Sequence, residues 1–211
     1  MTTSRKILNV VQYTKKSNSV YNGQPYESAY HSIQIMDQHF KGQRDVKKRL
    51  ALMEEIIDFK QKNILDIGCN IGGMLHDLRN KISYGVGIDK DYKCINAANL
   101  IKQCNHSNNL SFFVFDCQKE PLALIDDFFM EYKIDICFLL SMAMWINNWQ
   151  DMIKFCHEKS DTLLYESNGK IKFQNIQYKY LCSTYNKVTC LSTQSMDDPK
   201  QKKRKLYLCR R

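Results

Sequence analysis

Asn63–Ile64–Leu65–Asp66–Ile67–Gly68–Cys69–Asn70–Ile71–Gly72–Gly73 is the stretch on which the reading of this chain turns. Ile64, Leu65 and Ile67 form an apolar run that stops at glycine. Met74–Leu75–His76–Asp77–Leu78 follows at once, with apolar residues spaced for a helix. Strand, tight glycine turn and helix in that order open a doubly wound α/β domain. Gly68 is expected to let the chain turn off the strand, and Gly72 to remove a side chain where a ligand and the backbone approach closely. The spacing Asp-x-Gly-x-x-x-Gly differs from the G-x-G-x-x-G of pyrophosphate-binding dinucleotide turns.

Working outward, the same alternation repeats. Ser83–Asp89 reads as a second strand ending in an acid, and Asp91–Gln103 as a helix facing the core with Ile95, Ala98 and Ile101. Leu110–Phe115 is a third strand, again followed by an acid, Asp116. Residues Pro121–Tyr132 read as helical, Ile134–Leu140 as strand four, Asn148–Glu158 as a helix and Thr162–Glu166 as strand five. Strands separated by helices of about a dozen residues predict a parallel sheet covered on both faces. The ending breaks the rule: Val188–Ser192 and Lys205–Cys209 are two strands joined by the polar, proline-containing segment Met196–Arg204. Upstream, residues 1–24 are polar and expected to be partly disordered. Tyr26, Tyr30, His31, Ile33, Ile35 and Phe40 mark an ordered arm. Asp45 opens a helix whose inner face is Val46, Leu50, Met53 and Ile57, with Lys47, Lys48, Arg49, Glu54 and Glu55 on the outer face.

The 211 residues suffice for one domain with a sizeable core. No apolar run is long enough to span a membrane and no signal peptide is recognisable, so a cytoplasmic, membrane-free protein is expected. Nine scattered cysteines without a C-x-x-C pair suggest reduced thiols, neither a disulfide framework nor a metal site. The net charge of +9 sits at the ends: residues 41–49 sum to +4 and residues 200–211 to +7, while 50–199 sum to −4. Such basic strips attract phosphates, or merely keep a protein soluble.

The turn resembles motif I of the class I S-adenosylmethionine-dependent methyltransferases, close to their common form LDIGCN-x-G, and the terminal hairpin is similar to the ending of their fold. The resemblance covers about residues 43–211. It implies an α/β, doubly wound, mostly parallel seven-stranded sheet with a C-terminal antiparallel hairpin. The domain would span 43–211, preceded by an arm or lid over 1–42. It implies S-adenosyl-L-methionine as cofactor. Asp66 and the turn residues Gly68, Cys69, Asn70 and Gly72 would surround its methionyl part. Asp89 would clasp the ribose with Lys90 beside it. Asp116 and Cys117 would meet the adenine, and Ser141 would flank the sulfur. Arg44 could fork onto the cofactor carboxylate or a substrate phosphate, or be a surface arginine at a helix start. His31, Ser141, Trp145 and Glu166 are candidates for the catalytic step, His31 with packing as its alternative role.

Leu140–Ile146 lacks the (Asn/Asp/Ser)-Pro-Pro-(Tyr/Phe) signature of methyltransferases that act on exocyclic or amide nitrogen. It is similar to enzymes that methylate the terminal phosphate of RNA 5′ ends, but Asn147 replaces their histidine and Glu166–Ser167–Asn168 replaces a Glu-Pro-Gln run. The leading expectation is methyl transfer to oxygen of a small molecule or saccharide. RNA bound through the basic ends is the second, and a catalytically silent binding protein of the same fold the third.

Overall fold

The computed structural model describes residues 3–14, 26–195 and 203–211. Seven strands form one sheet: β3 (Asn63–Ile67), β4 (Tyr84–Asp89), β5 (Leu110–Val114), β6 (Ile136–Leu140), β7 (Thr162–Glu166), β8 (Lys187–Ser192) and β9 (Leu206–Arg210). Their order is β5-β4-β3-β6-β7-β9-β8. The first five are parallel, and β9 runs antiparallel between β7 and β8. The chain leaves β3 toward β4 and β5 on one side and returns to β6 and β7 on the other. A topological switch point therefore lies beside β3, where ligands bind in open α/β sheets.

Side-chain alternation distributes the core. In β3, Leu65 and Ile67 face one layer, with Ile125 and Phe129 of α5 (Leu124–Phe129), Met152, Ile153 and Cys156 of α6 (Trp149–Lys159), and Leu181 of α7 (Ile171–Thr184). Ile64 faces the other layer, with Val46, Leu50 and Met53 of α2 (Val46–Glu54), Met74 and Leu75 of α3 (Gly73–Leu78), and Ile95 and Ala98 of α4 (Tyr92–Cys104). Each such fully buried aliphatic side chain contributes roughly 2 kcal/mol. Asp66 shares the parity of Ile64, so the fold turns a carboxylate toward the α2–α4 layer.

The strands occur where the sequence places them, within two residues at each end. The N-terminal region differs from the sequence expectation. Thr3–Thr14 is a helix, α1, because Ile7, Leu8 and Val11 make one apolar face in an otherwise polar segment. That face packs on Ala97 and Ile101 of α4 together with Ile33, Ile35 and Ile71. The rest of the stretch expected to be disordered, from residue 15 on, lies outside the described residues, as does most of the 196–204 connection. The aromatic arm contains a small hairpin, β1 (Ile33–Ile35) and β2 (Gln38–Phe40), pinned by Asn105. Its side chain accepts from Met36 N at 2.7 Å and donates to Gln34 O at 2.8 Å. Helix α7, between β7 and β8, was not expected from the sequence. Arg49, expected on the outer face of α2, is buried. Among the described residues no helix is long and apolar enough to cross a membrane. All nine cysteines are free thiols.

Candidate active site

The carboxyl edge of the sheet holds two structures side by side. The first is the glycine turn after β3. Gly68 N and Cys69 N both donate to Ile88 O, at 2.8 and 3.0 Å, which ties the turn to β4. Gly68, Asn70 and Gly72 adopt φ of 77°, 54° and 71°, the left-handed region that favours glycine. A β-carbon on Gly68 would lie 2.2 Å from Met142 Sδ, so the Met142 thioether covers the turn. Gly72 has a packing reason for glycine: the ring of Phe112 lies 2.4 Å from where a β-carbon would stand. The imidazole of His76 lies tilted against that ring, centroid to centroid 5.0 Å, and comes within 3.3 Å of the same point.

Asp89 ends β4 and accepts from Asn70 N at 2.9 Å and from Asp91 N at 2.9 Å. It therefore shapes the turn while each oxygen keeps further acceptor capacity. Asp66 is 3% exposed, and its Oδ2 has no hydrogen-bond partner among the described residues. Burial, then the charge of Asp89, raises its pKa to about 7. Beyond β4 and β5 an open groove of about 720 Å³ is lined by Lys90, Asp91, Tyr92, Val114 and Asp116, with Lys119 at its edge. Asp116 caps a turn there by accepting from Gln118 N at 3.1 Å. Cys117 lies beneath, its thiol pushed up to about 12 by burial and its carbonyl accepting from Asn148 Nδ2 at 2.8 Å. Asp66, Gly68, Cys69, Asn70, Gly72 and Asp89 thus lie at the ends of β3 and β4, while Lys90 and Asp116 line the groove and Cys117 follows Asp116.

The second structure is a buried polar network at the ends of β6 and β7. Glu166 accepts from Arg44 Nη2 at 2.8 Å and from Nη1 at 3.1 Å, and from Arg49 Nη2 at 3.2 Å. Ser141, at φ 61°, bonds Glu166 through its hydroxyl and receives Arg204 Nη1 at 3.2 Å. Arg44 also donates to Tyr30 Oη at 2.8 Å and Ser195 Oγ at 3.0 Å. The expectation that Arg44 grips a ligand carboxylate or lies on the surface is therefore replaced. It is fully buried, and the carboxylate it forks onto is internal, because β7 ends in Glu166 directly opposite. Glu166 and Ser141 likewise serve this network.

Asn168 joins the loop after β7 to the loop after β6. Its side-chain amide donates to Ser141 O, and its Oδ1 accepts from Met144 N at 3.0 Å. Two glutamines on one face of α7 hold that loop from below: Gln177 takes the N–H of Asn168 and gives to its carbonyl, and Gln174 bonds Ser167 and Gly169. Trp145 stands clear of this network, 59% exposed.

His31 bridges the two structures. Its ring lies within 2.8 Å of where a Gly73 β-carbon would be and 4.8 Å, between centroids, from Tyr30. Burial, then the positive charge of Arg44, lowers its pKa to about 3, so the imidazole is neutral and a weak base. Tyr30, Arg49 and Asn168 were read from the sequence in other roles, as an arm aromatic, an outer-face helix residue and part of the run after β7. Gln174 and Gln177 were not singled out; with Leu181 they recur at helical spacing on one face.

No protein-family model and no curated protein sequence matches the chain. Solved structures do. The N-terminal domain of EvdMO1, crystallised in the presence of SAH and D-fucose, superposes with TM-score 0.67 at 10% identity, covering 100% of this chain and 97% of that one. The bifunctional kinase-methyltransferase WbdD gives TM-score 0.64 at 18% identity, over 92% of this chain and 45% of that one. An rRNA methylase from Streptococcus thermophilus gives 0.56 at 10% identity, over 76% and 92%. The chain spans less than half the length of WbdD and nearly the whole of the EvdMO1 domain. Strand order, glycine turn and terminal hairpin agree in placing this chain in the class I methyltransferase fold.

Proposed function

We propose that the chain is an S-adenosylmethionine-dependent methyltransferase acting on oxygen of a small molecule or saccharide. The observation that carries this reading is Asp66. It is a buried carboxyl with an unsatisfied oxygen, set at the switch point beneath a backbone turn and within the field of Asp89, whose next residues, Lys90 and Asp91, line the open groove. That donor set fits the cofactor. A positively charged amino group would satisfy Asp66, ribose hydroxyls would use the remaining acceptor capacity of Asp89, and a flat base would lie in the groove lined by Lys90, Val114 and Asp116. When bound, S-adenosylmethionine supplies an electrophilic methyl group; the rest is positioning.

The chain's own residues do that positioning. Gly68 and Met142 define the floor beside Ser141. Asn168 fixes the loop that carries Trp145 over the neighbouring space, and the arm closes the site with Tyr30 and His31. Orientation and removal of water from such a site provide much of the rate enhancement for a group transfer.

Calorimetry with S-adenosylmethionine and S-adenosylhomocysteine tests the cofactor. Micromolar binding, about −8 kcal/mol, is expected for both. Absence of heat and of any thermal shift with either ligand removes the reading. Transfer of labelled methyl groups to a panel of saccharides then tests the acceptor.

A further inference from the structure

The two basic runs that lie far apart in the sequence meet at one place in the fold. Arg44 and Arg49 reach Glu166 from α2 and the segment before it, and Arg204 reaches Ser141 from the start of β9. Residues 41–49 carry +4 and residues 203–205 carry +3. Against them stand Glu166, Asp77, whose charge Lys47 meets, and Glu27, which accepts from Lys41 N at 3.1 Å. Lys170 and Lys172 add two more cations where α7 begins, one residue beyond the loop that Asn168 holds. Residues 196–202 carry two acids and two lysines and leave the balance unchanged. Lys41, Lys47, Lys48 and Lys203 are exposed. On the other side of the switch point the strand ends carry Asp66, Asp89 and Asp116.

One edge of the sheet therefore presents carboxylates to the cofactor half and a cationic rim to the acceptor half. S-adenosylmethionine, with its sulfonium, suits the first. A rim of this sign raises the local concentration of anions and would repel a cationic acceptor. Lysines bind phosphate as point charges, without the bidentate geometry that Arg44 gives to Glu166. Beside the rim, Met144 and Trp145 are exposed, an apolar platform held to Asn168.

We infer that the acceptor is a saccharide bearing an acidic group, a phosphate or a carboxylate, with its anion on the lysine rim of residues 41–48 and 203–205 and its ring on Trp145. The inference rests on the methyltransferase reading above. A small acidic molecule fits better than a nucleic acid, since the lysines surround one edge. They do not alternate with a file of exposed aromatics along a groove.

The test uses the full chain loaded with S-adenosylhomocysteine. Inorganic phosphate should bind in calorimetry, and the variant K47E/K48E/K203E should weaken that binding at least tenfold with unchanged S-adenosylhomocysteine affinity and melting temperature. In methyl-transfer assays, sugar phosphates and uronic acids should exceed the matching neutral sugars at least tenfold, and comparing the two arms identifies the anion. Equal transfer to neutral sugars, or undiminished phosphate binding by the variant, overturns the inference. So does a single-stranded oligoribonucleotide that displaces phosphate with a steep salt dependence, which would give the rim to RNA. Loss of S-adenosylhomocysteine binding by the unmodified chain refutes the cofactor reading instead, so the two failures are told apart.

Discussion

The two halves of the carboxyl edge are built by different means. Around β3 and β4 the site is made of backbone: left-handed residues, amides of Gly68 and Cys69 on Ile88 O, and the amide of Asn70 on Asp89. Around β6 and β7 it is made of side chains that converge from α2, β7, α7 and the start of β9 on Glu166, Ser141 and Asn168. A backbone site depends on a short run of residues and tolerates little inside that run. A side-chain site depends on partners far apart in the chain, and losing any one leaves a buried group without its counterpart. The difference makes the second half the more costly to disturb.

The largest effect should come from Glu166→Gln, which leaves Arg44 and Arg49 facing a neutral amide in a buried site. Removing one partner of a buried ion pair costs about 3–5 kcal/mol. Urea unfolding should show a loss in that range, and a loss below about 1 kcal/mol would mean that water reaches the network. Next comes Gly72→Ala. A non-glycine residue at φ 71° costs about 1–2 kcal/mol, and displacing the Phe112 ring adds about 1–3 kcal/mol of overpacking. The double variant with Phe112→Leu should recover the second part only. Full recovery would show that the backbone conformation is not strained.

This division also governs what could be read from the sequence. Gly68, Gly72, Asp89 and Asp116 announce themselves because a glycine turn and strand-end acids follow one another through two successive βαβ units. Arg49 looked solvent-facing because its neighbours on α2 are lysines, and nothing local says that Glu166, 117 residues away, will arrive opposite it. The same holds for Arg44, whose backbone bridges that of His31 and whose side chain meets Glu166, 122 residues away. Helix α7 went unread because its buried face is glutamine rather than leucine: Gln174 and Gln177 act as scaffold for a loop, so apolar periodicity is weak. Helix α1 was obscured in the opposite way, its short run of apolar residues from Ile7 to Val11 being too little to outweigh the polar composition around it. Phe112 shows a subtler limit. Its strand was legible, but the contact that forces glycine at position 72 spans forty residues.

Asn168→Ala should have a smaller effect, about 1–3 kcal/mol, because it leaves the buried Ser141 carbonyl and the half-buried Met144 N–H without their partner. The outcome that distinguishes the two halves is local. Trp145 fluorescence should become more accessible to quencher, read in a Trp149→Phe background, while S-adenosylhomocysteine affinity stays within twofold. Asn168→Asp keeps the acceptor for Met144 but sets a carboxylate oxygen against the Ser141 carbonyl, so it should resemble alanine rather than wild type. If cofactor affinity fell as far as stability did, the halves would be coupled through Ser141 and Met142.

The smallest effect is the most diagnostic of the backbone-built half, and it lies in the pH dependence of cofactor binding. In the free protein, burial and Asp89 hold the Asp66 pKa near 7. A ligand ammonium beside Asp66 favours the ionised form, so binding below pH 7 must release a proton. Affinity should therefore rise with pH up to about 7, by at most tenfold per unit or about 1.4 kcal/mol, and level off above it. Folding stability is a poorer probe, because the groups oppose one another. The raised pKa of Asp66 contributes stability below about pH 4 that is lost as pH rises through 7. The lowered pKa values of His31 and His76, each about 3, contribute stability above pH 6.5 that is lost as pH falls. Binding isolates the carboxyl that faces the ligand. Asp66→Asn should flatten the affinity profile between pH 5.5 and 7 and bind more weakly than wild type at pH 8. A profile that keeps its slope in Asp66→Asn would assign the proton to another group, with Asp89, whose pKa burial also raises, next in line.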